Sequence, residues 1–253
     1  MLNNKNKEGI IMKYIMIFLS MITGTVMAQP IVIAHRGASG YAPENTLSSF
    51  KKALEMGAPM IEFDVHRCKS GEVVVFHDTF LKNQPNKKIK DLSWAQLQTY
   101  NVGHGQKIPL LSQVFDLVDK RAIINIELKS QDSVEPVAEL IKHYIEEKQW
   151  PADRFIVASF DHYRVKKFRT LLPQVKTGVI FEGNPIGLAQ IATNANAQYA
   201  IMYYEWITKE FIEDAHKRGV KVYTYTVNDK VLAQEMAALG LDGIISNYPD
   251  ILR

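Results

Sequence analysis

Four short segments place reactive side chains at strand-like spacing. Glu62 and Asp64 lie two residues apart in IEFDV, Glu127 and Lys129 two apart in INIELK, and His35-Arg36 and His77-Asp78 each follow an apolar run. Residues i and i+2 of a strand share one face, so Glu62 and Asp64 project together. Inward-facing carboxylates are costly to bury unless a cation neutralises them. With no Cys or His among them, the three carboxylates make a hard oxygen site suited to Mg²⁺ or Ca²⁺ rather than zinc. The same residues also admit an ion-pair network in which Arg36 and Lys129 balance Glu62, Asp64 and Glu127. His35 and His77, brought to one mouth, supply a general acid and a general base. Arg36 and Lys129 either balance the carboxylates or hold a phosphate and stabilise charge developing on it. Taken together, the set describes metal-assisted phosphoester hydrolysis.

Such residues need strands that end side by side. From position 31 onward, β-branched or aromatic runs fall at 31–34, 60–65, 123–128, 155–159, 177–181, 199–203, 222–227 and 243–246. Amphipathic stretches separate them, among them Leu47, Phe50 and Leu54 before Gly57, Val137, Leu140, Ile141 and Tyr144 after a cap at Ser133, and Leu232, Met236 and Leu239 before Gly240. Eight βα units in one domain predict an α/β fold, the (β/α)8 TIM barrel, whose active site lies at the C-terminal ends of the strands. Polar residues collect at those ends, including Ser159, Asn228 and Ser246-Asn247. An open doubly wound sheet needs fewer repeats and carries a glycine-rich phosphate loop after its first strand, which this sequence lacks.

Two segments after the second barrel strand break the alternation. VHRCKSGEVVVFHD reads as a β-hairpin about Ser70-Gly71. A two-residue loop sets Asp64 opposite His77, whereas a bulge at Gly71 shifts the pairing by one. Either register returns His77 to the mouth. Residues 79–111, polar and lysine-rich around 83–90, predict a small insertion over that mouth.

The composition, 47% hydrophobic and 23% charged over 253 residues, excludes disordered, collagen-like and disulfide-scaffold proteins. Cys68 stands alone, so no internal disulfide forms. Of the net charge of +3, two units come from Lys5, Lys7 and Lys13 against Glu8, and the near-neutral remainder has no basic stripe for nucleic acid. The lysine-bearing start, the apolar run at 14–27 and Val26-Met27-Ala28 predict a signal peptide over 1–28 and a mature domain over 29–253. That run is shorter than the roughly 20 residues that span a bilayer. The expectation is export, to periplasm or medium, without a stable membrane anchor. A barrel of this size buries enough apolar surface without disulfides.

The ordered segments IAHRGASGYAPENTLSSFKKAL, IEFDV, SGEVVVFHD, IPLLSQVFDLV, INIELK, VASF, YTVN and IISNYPD resemble the glycerophosphodiester phosphodiesterase family across the whole mature chain. The resemblance implies a (β/α)8 barrel, one divalent cation, and hydrolysis of a small-molecule glycerophosphodiester to sn-glycerol 3-phosphate and an alcohol. By position it implies that His35 and His77 are the acid/base pair, that Glu62, Asp64 and Glu127 hold the metal, and that Arg36 and Lys129 contact phosphate. Glu44 matches the PEN glutamate, which either orients the site or belongs to a helix cap over 44–46. Tyr225 stands on the substrate side where many members carry Trp, and Phe80-Leu81-Lys82-Asn83-Gln84 replaces the usual L-x-R-T-T. Both departures leave the headgroup open among choline, ethanolamine, inositol and glycerol. Cys68 is read as an incidental thiol, and Tyr203, Tyr204 and Trp206 as pocket wall or rim packing. Two other readings compete. A lysophospholipid-directed phosphodiesterase calls for an apolar insertion, and residues 79–111 are polar. A non-catalytic glycerophosphodiester-binding protein has no need of two histidines.

Overall fold

Alternating short apolar runs and capped amphipathic helices close into a ring. The computed structural model describes residues 29–82 and 84–253. The signal peptide expected over 1–28 lies outside the described residues. The chain passes from β1 (Ile31–His35) through α1 (Leu47–Glu55) to β2 (Met60–Arg67), β3 (Val73–Val75), β4 (Phe80–Leu81) and β5 (Gln84–Lys88). Then come α2 (Trp94–Leu97), α3 (Leu111–Val118), β6 (Ile123–Leu128), α4 (Val134–Glu146), β7 (Phe155–Ser159) and α5 (His162–Leu171). The last third holds β8 (Lys176–Phe181), α6 (Gln190–Asn194), β9 (Tyr199–Tyr203), α7 (Lys209–Lys217), β10 (Lys221–Tyr225), α8 (Lys230–Ala238) and β11 (Gly243–Ser246). Strands pair in the order β1-β11-β10-β9-β8-β7-β6-β2, and β2 returns to β1. All eight pairings are parallel, so the ring is a closed (β/α)8 barrel. Among the described residues no helix is long and apolar enough to cross a membrane.

Alternation along each strand sorts side chains into two cores. Ile33, Met60, Ile156, Ile180, Ile201 and Ile245 fill the barrel, while Ile61, Phe63, Ile124, Ile126 and Val157 face the helices. Low in the barrel, the Tyr199 and Tyr223 rings pack with centroids 4.9 Å apart. Gly243 makes room for them, since a Cβ there would meet the Tyr223 ring at 2.6 Å. The helices start where the sequence offers caps. Thr46 and Ser49 form a capping box on α1, and the Asp161, Thr208 and Asp229 side chains accept from the first turns of α5, α7 and α8. Ser133 precedes α4 as expected but makes no cap bond, because its hydroxyl donates to Ser130 O at 2.6 Å.

The hairpin takes the bulged register. Val65 pairs Val75 and Arg67 pairs Val73, so Phe76, not His77, lies opposite Asp64. The cause is a three-residue turn: Gly71 N donates to Cys68 O, Cys68 N donates to Glu72 O, and Gly71 holds φ +106°. The insertion builds a small core of its own, in which Leu81, Ile89, Leu97 and Ile108 pack on Cys68, Val74 and Phe76 of the hairpin. Cys68 is thus buried, with Sγ 3.2 Å from Glu72 Oε2. Strand β10 stops at Tyr225, short of the expected 227, because its partner β9 ends at Tyr203 in the Tyr203–Tyr225 pair.

Candidate active site

The adjacent strands β1, β2 and β6 deliver the charged cluster. The β2–β6 register sets Glu62 beside Asn125 and Asp64 beside Glu127. Glu62, Asp64 and Glu127 each bring one carboxylate oxygen within 4.8 Å of the others. Glu62 and Asp64 are 5% and 1% exposed. The Arg36 backbone N–H donates to Glu62 Oε2 at 3.0 Å, its Nε lies 3.3 Å from Asp64 Oδ2, and its Nη1 donates to Glu44 Oε2 at 3.0 Å. Lys129 Nζ donates to Glu127 Oε1 at 2.8 Å and lies 3.7 Å from Asp64 Oδ1. The segment 35–46 folds tightly to do this. Asn45 N and Ser49 Oγ both donate to Arg36 O, and Gly37 is required because a Cβ there would sit 2.4 Å from Ser49 Oγ. Arg36 and Asn45 hold φ of +53° and +56°. Such left-handed conformations are costly for side chains other than Gly and Asn, and they recur where function fixes the backbone.

The charges do not balance by themselves. Burial, followed by Asp64 and Glu127, holds Glu62 well above the usual carboxylate range. Burial, followed by Asp64, pushes Glu127 up to about 7. Burial opposes the charge of Arg36 and Lys129 as well, yet their carboxylate neighbours raise both above their ordinary values. Glu44 is drawn downward against its own burial by Lys82 and Arg36. Arg36 is therefore shared among Glu62, Asp64 and Glu44. Of the two readings of the acids, the ion pairs do form, but they leave a buried, all-oxygen triad short of positive charge. That donor set fits a hard divalent cation such as Mg²⁺ or Ca²⁺.

His35 reaches the triad from β1. Its Nε2 lies 3.9 Å from Glu62 Oε2, and its Nδ1 is 2.7 Å from Asn247 Oδ1 across the β1–β11 seam. Burial, then Arg36, pushes its pKa down to about 4. His77 stands on the rim with its side chain one-third exposed, Nδ1 2.7 Å from Asp78 Oδ1, and its carbonyl 3.1 Å from His66 Nε2. Glu44 does not cap α1, a task taken by Thr46, but ties Arg36 to Lys82 of the insertion at 2.7 Å. Between the strand ends a narrow cavity is lined by His35, Glu62, Asn125 and Glu127 on one side and by Phe160, Tyr225 and three isoleucines on the other. The Tyr225 hydroxyl donates to Phe181 O at 3.3 Å. Tyr203 packs behind Tyr225 with centroids 5.9 Å apart, and Trp206 stays 43% exposed, so both belong to the rim.

Sequence reasoning missed the orienting role of Asn45, whose Nδ2 donates to Asp64 Oδ2 at 2.9 Å, and the Asn247 contact to His35. It also missed Phe160, whose ring faces Lys129 Nζ at 5.9 Å, and Asn125. A signal for Asn125 existed: in Ile123-x-Asn125-x-Glu127 the amide occupies an inward position of the strand.

A barrel whose mouth holds a buried acid triad between an arginine and a lysine, with a histidine alongside, defines an enzyme of phosphate-ester chemistry. Residues 35–251 match the glycerophosphoryl diester phosphodiesterase family. A glycerophosphodiester phosphodiesterase of Caldanaerobacter subterraneus is 34% identical over 88% of this chain and 96% of its own. The Homo sapiens lysophospholipase D is 29% identical over 87% of this chain and 84% of its own. The structure of an Oleispira antarctica phosphodiesterase in complex with the product sn-glycerol-3-phosphate superposes with a TM-score of 0.78, at 28% identity over 87% of this chain and 94% of that one. The chain belongs to the glycerophosphoryl diester phosphodiesterase family.

Proposed function

We propose that the protein is an exported, metal-dependent phosphodiesterase that hydrolyses glycerophosphodiesters to sn-glycerol 3-phosphate and an alcohol. Its family makes it a phosphoric diester hydrolase. The observation that carries the reading is the triad of Glu62, Asp64 and Glu127 enclosed by Arg36, Lys129 and His35 at the mouth of the barrel. A divalent cation held by the three carboxylates would neutralise phosphoryl charge. The Arg36 guanidinium and the Lys129 ammonium hold the non-bridging phosphate oxygens and stabilise charge in the transition state.

Hydrogen bonding supports a division of the proton work. Asn247 Oδ1 accepts from Nδ1–H of His35, which leaves the Nε2 lone pair facing the triad as a general base for the attacking oxygen. His77, oriented by Asp78 at the open rim, protonates the departing alkoxide. The P–O bond to the alcohol breaks as the bond to the attacking oxygen forms, so one proton is taken at His35 and one is given at His77. The insertion above the site exposes Lys82, Lys87 and Lys90 rather than an apolar surface, which favours water-soluble diesters over lysophospholipids. The test is release of sn-glycerol 3-phosphate from glycerophosphocholine, with and without a chelator. Turnover that a chelator stops and added cation restores is expected, and turnover indifferent to chelator would exclude the metal.

A further inference from the structure

Level with Glu62, and one layer deeper than Asp64 and Glu127, the cavity carries one polar atom that nothing in the fold satisfies. Asn125 faces inward from β6, beside Glu62 in the strand register and two residues before Glu127. It is 2% exposed, and its Oδ1 is buried without a hydrogen-bond partner. Buried amide carbonyls are rarely left so, because each gives up its bond to water on folding. The other polar groups near the floor are engaged: the Tyr225 hydroxyl bonds Phe181 O, and His35 Nδ1 faces Asn247. The rest of the floor is Ile180, Ile201 and Ile245. The cavity, about 30 Å³ in volume, therefore offers apolar walls and a single uncommitted amide at depth, room for a terminal hydroxymethyl group whose hydroxyl both donates and accepts.

We propose that Asn125 is a specificity residue that binds the terminal hydroxyl of the glycerol arm, so that the enzyme selects the polyol side of the diester. The inference rests on the glycerophosphodiesterase reading above. The depth agrees with it. Asn125 lies two residue steps before Glu127, roughly 6.6 Å along the strand, which a three-carbon chain hung from a phosphate at Arg36 and Lys129 would span. The wider groove lined by Tyr41, Pro43, Glu44, Lys82 and His104 is left for the alcohol arm.

The experiment compares two substrates that differ only in the terminal hydroxymethyl group, glycerophosphocholine and 2-hydroxyethyl phosphocholine, on the wild-type enzyme and on Asn125→Leu and Asn125→Ala. Wild type is expected to prefer the glycerol compound in kcat/KM by roughly tenfold to a hundredfold, the range for a hydrogen bond to a buried acceptor. In both variants that ratio falls to within about threefold of unity. Titration calorimetry with sn-glycerol 3-phosphate against 2-hydroxyethyl phosphate reads the same ratio without turnover, and cation titration shows whether the metal centre is intact. A preference that survives in the variants overturns the proposal, as does a loss of cation affinity, which would place Asn125 in the metal centre instead. Wild type that turns over neither diester refutes the broader functional reading. Turnover of both with an unchanged ratio in the variants refutes this inference alone.

Discussion

Asn45 offers a way to measure how the fold holds its acids in place. It is 2% exposed, its Nδ2 donates to Asp64 Oδ2 at 2.9 Å, and its backbone sits at φ +56°. Asn45→Gly removes the amide while keeping the left-handed backbone accessible, whereas Asn45→Ala removes the amide and adds backbone strain. A hydrogen bond to a charged group contributes about 1.5–3 kcal/mol. The left-handed conformation costs a residue with a Cβ a further ~1–2 kcal/mol. At 2–4 °C per kcal/mol for a domain of this size, Asn45→Gly should lower Tm by roughly 3–12 °C and Asn45→Ala by several degrees more. Asp64 loses its orienting partner in both, so cation affinity by titration calorimetry should fall about 10- to 100-fold in each, as it does when groups behind metal ligands are removed. The two readouts separate the causes, since backbone strain moves Tm but not affinity. Equal Tm values for the two variants would remove the strain argument. Wild-type cation affinity in Asn45→Gly would refute the claim that this amide positions Asp64.

Three further outcomes are expected. Glu62→Gln should abolish cation binding and turnover, yet raise Tm measured in chelator, because it removes the cost of burying a carboxylate and, after that, its repulsion by Asp64 and Glu127; retained cation affinity would remove Glu62 from the metal centre. His77→Ala should lose a factor of about 10² to 10⁴ in kcat on an alkyl diester and less on a p-nitrophenyl diester, whose leaving group departs without a proton. Rescue of His35→Ala rather than His77→Ala by that leaving group would reverse the acid and base roles. Mass spectrometry of the native exported protein should find a chain starting near Gln29, and an intact N-terminus on a cytoplasmic pool would overturn export.

The barrel was legible because its signal repeats. Eight runs of β-branched residues and their caps agree with one another, and most strand ends fall within a residue or two of expectation. The carboxylates were legible for the same reason, since strand alternation fixes Glu62 and Asp64 on one face before any fold is known. The hairpin register was not settled, because Ser70-Gly71 suits both a two-residue turn and a bulge, and one residue of shift exchanges Phe76 for His77 opposite Asp64. The roles of Asn45 and Phe160 escaped, and Asn247 was placed at a strand end without its His35 partner, because each is a single side chain in a loop, where no periodicity says which way it turns. Glu44 illustrates the same limit. Its partner Lys82 comes from the insertion, and sequence alone does not bring residues 38 apart together.

The ring divides its labour unevenly around its circumference. The charged groups Arg36, Glu62, Asp64, His77, Glu127 and Lys129 lie on or just after β1, β2, the hairpin and β6, while Phe160, Tyr225 and the isoleucine floor come from β7 through β11. Only the Asn247–His35 bond joins the two arcs among the described contacts of that histidine. A substitution on the later arc reshapes the apolar wall of the cavity without moving a charge, whereas one on the earlier arc disturbs the charges and the polar wall together. The later arc thus shapes what the narrow cavity admits, and the earlier arc holds the charges on which the reaction depends.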